Sequence, residues 1–368
     1  MPDSSELLFA SYAAKTLEPN QSIGAKWDRM LGAMNLESVV QGRRTCVKMH
    51  LGGGYGFTTI HPYFTRKLVA KIRACGASDV FLCDSPGAVR SAVERGYTEE
   101  TAGCPIRSIS GPNDDRYETR RVEPALGEFK EVEIGAEILG AEALVDFSHV
   151  KGHGACGFGG ASKNLSMGCV TQSTRRDTHR LEGGLEWTEE RCGKCGRCVD
   201  NCPNNAMSFN DDGRLAIFYH NCKYCNHCGL ICPTQAIRLV GGGYRAFQRG
   251  MALTTKTVLE NFRPEHRCFI NFLMNITVFC DCWGMTTPNL VPDIGILAGP
   301  DIVAVETASL DLIKTENLIP GSLPPKWPAL RDEGHLFDRI HAKDPFAVID
   351  GLEEFGLGSR AYTLREIE

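Results

Sequence analysis

Residues 192–203 read CGKCGRCVDNCP and residues 222–233 read CKYCNHCGLICP, so one cysteine pattern occurs twice in the same order. The pattern C-x2-C-x2-C-x3-C-P is typical of bacterial ferredoxins with two 4Fe-4S clusters. In such a run three thiolates surround one cluster, and the fourth, just before the proline, binds the other. The sequence therefore predicts two 4Fe-4S clusters with crossed ligation: cluster 1 is held by Cys192, Cys195, Cys198 and Cys232, and cluster 2 by Cys222, Cys225, Cys228 and Cys202.

Small residues separate the predicted ligands. Gly193, Gly196 and Gly229 allow backbone amides to approach the sulfur atoms and to hydrogen-bond them. Two alternatives use the same cysteines. A pair of zinc sites would need two separated C-x2-C pairs rather than a quartet closed by proline, and a disulfide framework would need a secreted chain. The spacing favours the two clusters.

Composition limits the remaining classes of function. The chain has 368 residues, with 40 Lys and Arg against 45 Asp and Glu, a formal net charge of -5. No overall field favours nucleic acid or an anionic membrane, so a small-molecule substrate and a redox partner protein are the expected partners. The first fifteen residues do not resemble a secretory signal, and no long apolar run suggests a membrane span. We expect a cytoplasmic protein of undetermined oligomeric state.

The other cysteines support a reducing environment. Eight of the 17 cysteines belong to the doubled pattern. The remaining thiols show no disulfide-framework spacing, which fits a reducing and anaerobic cytosol. They are Cys46, Cys75, Cys83, Cys104, Cys156, Cys169, Cys268, Cys280 and Cys282.

Strands and helices alternate outside the doubled pattern. A strand at 45–50 (TCVKMH), a helix at about 61–75 and a strand at 79–83 (DVFLC) form a unit typical of right-handed parallel connections. Further strands are predicted at 143–148, at 268–276 and at 302–305, the last followed by a helix. The predicted fold class is an α/β body with a mainly parallel sheet, interrupted by a small inserted α+β ferredoxin-like domain.

The predicted boundaries follow composition. A charged, turn-rich run at 175–188 is interpreted as a linker, and Gly241, Gly242 and Gly243 mark an exit from the cysteine-rich part. The α/β pattern resumes after it. The expected domains are therefore 1–186 for the first part of the body, 187–240 for the inserted two-cluster ferredoxin domain, and 241–368 for the second part of the body.

Four segments together resemble one known family. They are VKMHLGGGYGFTTIHP (47–62), HVKGHGACGFGGASKNLSMG (149–168), the doubled cysteine run, and the long apolar stretch at 270–313 that contains CDC. This combination is similar to the iron-sulfur members of the domain of unknown function 362 family, over most of the chain. The resemblance implies an inserted ferredoxin module and a redox role, without a substrate. The family's motifs correspond here to Lys48, His50, Lys151, Gly152, His153, Lys163, Asn164, Cys280, Asp281 and Cys282.

The candidate catalytic residues lie at strand ends. Lys48 and His50 end the first strand, Lys151 and His153 follow the ALVDFS strand, and Lys and His there suit an anionic substrate and proton transfer. Cys280 and Cys282 follow a third strand. With the carboxylate between them they suit a third metal centre, or a thiol pair for redox exchange; two buried structural cysteines are the alternative. Because carboxyl-end loops of an open α/β sheet converge on one crevice, we expect these groups to form one site.

Two glycine-rich loops are candidate cofactor-binding elements. The run at 52–56 (GGGYG) follows a strand and suits a phosphate of flavin or nucleotide, but a tight structural turn is the favoured interpretation. The second loop (GFGG, 157–160) leads to Lys163 and Asn164. The sequence thus favours an iron-sulfur oxidoreductase that passes single electrons to a substrate or cofactor in the α/β body. The alternative is a non-catalytic electron carrier, a redox sensor or a protein that delivers metal or clusters.

Overall fold

The computed structural model describes residues 4–202, 205–217, 222, 226–241, 243–323 and 333–368. The strands described are β1 (Ser5–Ser11), β2 (Arg44–Lys48), β3 (Asp79–Asp84), β4 (Ile106–Ser108), β5 (Tyr117–Leu126), β6 (Phe129–Gly135), β7 (Ala143–His149), β8 (Lys151–His153), β9 (Gly157–Gly159), β10 (Gly184–Trp187), β11 (Met207–Phe209), β12 (Leu215–Ile217), β13 (Ile237–Val240), β14 (Arg267–Leu273), β15 (Gly295–Gly299) and β16 (Tyr362–Glu366). The α-helices described are α1 (Ile23–Ala33), α2 (Leu36–Val40), α3 (Pro62–Ala74), α4 (Pro86–Ser91), α5 (Glu99–Ala102), α6 (Ala136–Leu139), α7 (Ala161–Gly168), α8 (Gln172–Arg180), α9 (Arg197–Asp200), α10 (His227–Ile231), α11 (Gly243–Leu259), α12 (Ile302–Leu312), α13 (Leu336–His341) and α14 (Ala347–Glu354).

A mostly parallel sheet of eight strands forms the body. Its order is β16-β1-β15-β14-β7-β2-β3-β4. Strand β15 runs antiparallel to both of its neighbours, whereas the other adjacent pairs are parallel. Strands β14, β7, β2 and β3 therefore end at the same edge, and the loops that follow them meet there. The predicted α/β class with a mainly parallel sheet is confirmed.

Helices cover both faces of the sheet. On one face α1, α2 and α3 pack through Trp27, Leu36 and Leu68 against strand residues such as Val47. On the other, α7, α11, α12 and α14 bury a second set of apolar side chains. Since both faces are buried, the central strands contain nearly continuous apolar runs instead of an alternating pattern.

Two details of the sequence prediction are wrong. Residues 302–305, predicted as a strand, begin helix α12, and the strand before it is β15. Asp301 caps this helix by accepting hydrogen bonds from Val303 N and Ala304 N. The helix is buried on almost all sides, so its sequence, with several β-branched residues, resembles that of a buried strand. The run at 175–188, interpreted as a linker, instead contains most of helix α8 and the strand β10.

The described residues between 184 and 240 form a small cysteine-rich unit with its own apolar centre. Strands β10 and β13 pair antiparallel across its base, and β11 pairs with β12. Cys198 and Cys228 are buried with Leu185, Met207 and Ile237. The chain enters and leaves at adjacent points, because a Cβ placed on Gly183 would lie 1.6 Å from Val240 O. No helix in the part of the chain that the structure describes is long and apolar enough to cross a membrane.

Candidate functional site: a crevice at the strand ends and a cysteine pocket

A crevice of about 550 Å³ opens where β2, β3 and β7 end. It is bounded by two glycine segments, the first turn of α7 and the turn after β14. The lining that matters for its chemistry is His50, Gly52, Gly53, Gly54, Asp84, His149, Lys163, Asn164, Arg175, Cys280 and Cys282. Five residues predicted as site residues therefore face one cavity: His50, Lys163, Asn164, Cys280 and Cys282.

A buried ion pair connects the ends of β2 and β3. Lys48 Nζ lies 3.0 Å from Asp84 Oδ1, and both side chains are almost fully buried. The second carboxylate oxygen lies 2.8 Å from His50 Nδ1 and accepts a hydrogen bond from Leu51 N, also at 2.8 Å. Although burial disfavours the charged carboxylate, Lys48 and His50 hold the pKa of Asp84 well below its usual range. Asp84 raises the pKa of His50 against the opposing effect of burial, so the crevice holds a readily protonated imidazole.

Asn164 extends this network to β7. Its carbonyl oxygen accepts a 2.7 Å hydrogen bond from Lys48 Nζ, and its amide donates to Asp146 Oδ1, also at 2.7 Å. Asp146 also accepts a hydrogen bond from Ser148. Burial outweighs these donors and raises the pKa of Asp146 to about 8. Asn164 thus lines the crevice and also holds the Lys48 ammonium group in place.

The CDC turn consists of Cys280, Asp281 and Cys282, and its two thiols lie beside the ammonium group of Lys163. Lys163 Nζ is 3.8 Å from Cys280 Sγ and 3.6 Å from Cys282 Sγ. A hydrogen bond from the Cys282 thiol, together with Lys163 and His50, lowers the pKa of Cys280 well below its usual value despite burial. The same hydrogen bond raises the pKa of Cys282 well above its usual value. Cys280 is therefore the more acidic thiol of the pair and Cys282 the less acidic one, and the two titrate together.

The middle residue of this turn points elsewhere. Asp281 Oδ1 lies 2.6 Å from Lys151 Nζ, and Oδ2 lies 3.5 Å from His149 Nδ1. Although burial opposes ionisation, His149 and Lys151 hold the pKa of Asp281 well below its usual range. Lys151 also donates to Thr58 Oγ1 at 2.7 Å. The carboxylate is thus used within the protein to fix the turn.

Lys151 and His153 share one side of β8, but neither lines the crevice. His153 is buried, with its ring 6.1 Å from that of Trp283 and its Nδ1 3.2 Å from Cys156 Sγ. Both residues therefore contact the CDC turn from the protein interior. Their position indicates support of the turn, whereas sequence reasoning predicted them as catalytic residues.

The first glycine loop is held on two sides. Arg95 Nε donates to Leu51 O at 2.7 Å, and Tyr55 N donates to Gly284 O at 2.6 Å. The loop is therefore a fixed structural turn packed against the end of the CDC turn. Within the described part of the chain the amides of Gly52, Gly53 and Gly54 have no hydrogen-bond acceptor. All three glycines line the crevice.

Sequence reasoning missed three charged residues of this site. Asp84 ends a strand next to Lys48, so the strand-end rule that selected Lys48 also applies to it. Asp146 is a carboxylate inside the apolar run ALVDFS, which signals a buried partner. Arg175 lies at the far end of the crevice, where its guanidinium donates to Met167 O and Val170 O and lies 3.8 Å from Asp114. Its place on α8 was hidden by the linker interpretation.

The cysteine-rich unit contains a separate cavity of about 60 Å³. Three of the four thiols of the first motif line it together with one thiol of the second motif: Cys192, Cys195, Cys198 and Cys232. No group of three or more His, Cys, Asp or Glu in the described residues is placed to share a single metal ion. Four thiols around one small cavity fit the chemistry of a 4Fe-4S cluster, and they are the set assigned to cluster 1.

The two motifs are also built alike. Ala206 N donates to Cys202 Sγ and Ala236 N to Cys232 Sγ, both at 3.2 Å, and these two sulfurs end the two runs. Such N–H···S bonds favour thiolate. For Cys232 the net effect is a lowered pKa despite partial burial, with a further hydrogen bond from Thr234. Of the ligands assigned to cluster 2, Cys225 lies outside the described residues.

A row of aromatic rings connects the second cysteine motif to the CDC turn. His227, next to Cys228, stacks on His341 with ring centres 6.2 Å apart. His341 lies 5.8 Å from Phe279, which stacks on Trp283 at 4.2 Å. Phe279 and Trp283 flank Cys280 and Cys282 in sequence, so ring contacts run from one cysteine motif to the residues next to the thiol pair.

The family follows from residues 46–311. They match the model of the family described as Domain of unknown function (DUF362), which covers well over half of the chain. The chain belongs to the DUF362 family. The match includes β2, β3 and β7, the cysteine-rich unit and the CDC turn, so the crevice and the cysteine pocket both lie in the family region of this DUF362 protein.

Curated relatives match only a short part of this DUF362 protein. "Pyruvate synthase subunit PorD" of Methanocaldococcus jannaschii is 39% identical over 51 residues, 14% of this chain and 59% of the relative. A protein named "Ferredoxin" from Pyrobaculum islandicum is 33% identical over 49 residues, 13% of this chain and 46% of the relative. The chain spans about half the length of these relatives.

One solved structure was compared over a larger share of the chain. The lactate racemase apoprotein from Thermoanaerobacterium thermosaccharolyticum aligns with a TM-score of 0.38 and 14% sequence identity. The alignment covers 74% of this chain and 52% of that chain.

Proposed function

We propose that this DUF362 protein is an iron-sulfur oxidoreductase. Two 4Fe-4S clusters in an inserted ferredoxin-like domain, residues 187–240, exchange single electrons with a small substrate bound in the crevice of the α/β body. A redox partner protein supplies or removes the electrons at the clusters. The proposal rests on the cysteine spacing, the cysteine pocket and the short matches to ferredoxins.

The enzymatic role in particular rests on the row of aromatic rings between the second cysteine motif and the CDC turn. His227 belongs to the second cysteine motif, and Phe279 and Trp283 flank the thiol pair. A carrier needs a cluster near the surface, and it does not need ring contacts that lead from a cluster motif to the residues beside the thiols of the crevice. An enzyme that couples cluster oxidation to chemistry in the crevice does need such a contact.

The lining of the crevice favours an anionic substrate. His50, Lys163 and Arg175 line it together with Gly52, Gly53 and Gly54, whose amides have no acceptor within the described residues. Amide groups of successive residues in a glycine turn bind carboxylate or phosphate oxygens. The buried positive charges of Lys48 and Lys151 are neutralised by Asp84 and Asp281. These two lysines therefore stabilise the walls of the crevice and do not bind the substrate.

The clusters are tested by metal analysis and electron paramagnetic resonance. Anaerobically purified protein should contain about eight irons and eight sulfides. Cys192→Ser and Cys232→Ser should alter the same cluster signal, because the crossed assignment gives both residues to cluster 1. Cys268→Ser, at a buried thiol of β14, is the control and should keep all the iron. Zinc in place of iron, or effects of the first two variants on different clusters, would contradict the assignment.

The enzymatic role is tested by comparing two reactions. Reduced methyl viologen should reduce the clusters equally in the wild type and in Cys280→Ser. With a panel of small anionic oxidants, only the wild type should show continued viologen oxidation. If both proteins turn over equally, the crevice has no part in electron transfer, and the protein is a carrier, a sensor or a cluster-delivery protein.

A further inference from the structure

The CDC turn offers its two thiols, but not its carboxylate, to the crevice. Asp281 is bound to Lys151 at 2.6 Å. In the part of the chain described, no third His, Cys, Asp or Glu forms a metal-binding group with the two thiols. The third metal centre that the sequence left open would thus have two thiolates and no further protein ligand. The geometry favours chemistry of the thiols themselves.

We infer that Cys280 and Cys282 form a redox-active dithiol that reduces a small anionic disulfide bound in the crevice. Lys163 holds both sulfurs through one ammonium group, at 3.8 and 3.6 Å. Cys280 is buried and Cys282 is exposed, so the two differ in access to solvent. His50 is the other cationic group that acts on Cys280, from the end of β2.

The reaction balances as a two-electron exchange. The Cys280 thiolate attacks one sulfur of the substrate, the substrate S–S bond breaks, and the first thiolate leaves. The Cys282 thiol loses its proton to that leaving thiolate and attacks the Cys280 sulfur, which releases the second thiolate. The products are a Cys280–Cys282 disulfide, one substrate thiol and one substrate thiolate. Two electrons and one proton restore the thiolate and the thiol.

The source of those two electrons rests on the proposed function. Two bound 4Fe-4S clusters would each be able to donate one electron, and the row of aromatic rings that ends at Phe279 and Trp283 begins at the second cysteine motif. The exchange with the substrate disulfide does not need the clusters. The two proposals therefore fail separately: loss of iron would remove the restoring step, while the thiol exchange would persist.

Dithiobis(nitrobenzoate), an anionic aromatic disulfide, is the probe. Anaerobic wild-type protein with its clusters intact should release two coloured thiolates per pair. The peptide that contains both cysteines should then carry an internal disulfide and no bound probe. In Cys282→Ser the first step has no resolving thiol, so the variant should release one thiolate and retain a mixed disulfide on Cys280. Cys75, half-exposed and without a second cysteine two residues on, is the internal control and should keep an ordinary mixed disulfide.

Lys163→Gln gives a second readout that does not depend on turnover. Removing the ammonium group should shift the pH profile of the reaction with the probe to higher pH. At pH values below the pKa of Cys280 the reaction should slow about tenfold for each unit by which that pKa rises, because the thiolate fraction there falls tenfold per unit. Iron content and circular dichroism show whether the variant is folded. A wild-type pair that keeps bound probe would overturn the inference. So would an unchanged pH profile in folded Lys163→Gln, or a pair that reacts only after a chelator removes a bound metal.

Discussion

Replacing Asp84 with asparagine should strongly destabilise the α/β body. The carboxylate faces Lys48 at 3.0 Å, and neither side chain is exposed to solvent. Asparagine has nearly the same shape but no charge, so it leaves the buried Lys48 ammonium group with neutral oxygen acceptors, such as those of Met49 and Asn164, and without the carboxylate that paired with it. Breaking one side of a buried ion pair costs about 3–5 kcal/mol. That is a large part of the total free energy of unfolding, which is about 5–15 kcal/mol for a typical domain.

The matched control is Asp28→Asn. Asp28 pairs with Lys67 at 2.7 Å, but this pair lies at the surface, with side chains 51% and 32% exposed. An exposed pair contributes only about 0–1 kcal/mol. Anaerobic urea titration, followed by circular dichroism on samples of equal iron content, should therefore separate the two variants clearly. If Asp84→Asn costs no more than Asp28→Asn, the buried pair does not hold the strand ends.

The pH dependence gives this prediction a second test. The pKa of Asp84 is lower in the folded protein than in the unfolded chain, where it is about 3.9. The stabilisation by the ion pair is thus fully present above that value and is lost as the pH falls toward the folded pKa. The part of the difference between the wild type and Asp84→Asn that comes from the titration of Asp84 should be constant above about pH 4 and should shrink below it. Because Asp84 also raises the pKa of His50, the difference should in addition decrease as the pH rises through the folded pKa of His50. A difference that grows below about pH 4 would refute the reasoning.

Two further predictions concern the buried carboxylates of Asp146 and Glu306. Asp146→Asn should remove a loss of stability with rising pH: the folded pKa of Asp146 is about 8 against about 3.9 unfolded, so between these values the folded wild type holds an extra proton and is destabilised by up to about 1.4 kcal/mol per pH unit. Urea titrations at both ends of that range should show a flatter profile for the variant; an equally steep one would contradict the raised pKa. Gly160→Ala should destabilise by about 1–3 kcal/mol, because its Cβ would lie 2.2 Å from Glu306 Oε1, which accepts a hydrogen bond from Ala161 N at the start of α7. Gly32→Ala, where an added Cβ meets nothing within 4 Å, is the control and should be neutral or stabilising in the same thermal melts.

The strand-end rule explains which parts of the crevice were predictable. Lys48 and His50 follow an apolar strand, and the order of parallel strands brings such ends together whatever their separation in the chain. Cys280 and Cys282 were found in the same way. Asp84 obeys the same rule, but one acidic residue after a strand carries no pattern of its own. Only its neighbours in space, Lys48 and His50, reveal its role.

The errors have a different physical origin. Helix α12 is buried on nearly all sides, so its sequence lacks the polar face that distinguishes a surface helix from a strand. Its start was nevertheless encoded, because Asp301 is a good N-cap residue. In β8, alternation placed Lys151 and His153 on one side, as expected. Alternation cannot tell whether that side meets a cavity or the interior, since this depends on where the CDC turn packs.

The interior position of Lys151 explains why the carboxylate and the thiols of the CDC turn have different partners. Lys151 and His149 bind the Asp281 carboxylate from inside, which fixes the backbone of the turn and leaves Cys280 and Cys282 to Lys163. A carboxylate directed toward the thiols would repel the thiolate and raise its pKa. Because the carboxylate is paired with Lys151 within the protein, its repulsion of the thiolate is smaller than the attraction of Lys163, and the pKa of Cys280 is lowered on balance. The charge of Lys151 therefore serves the thiol pair without contacting it, and the sequence CDC needs lysines on both sides of the turn.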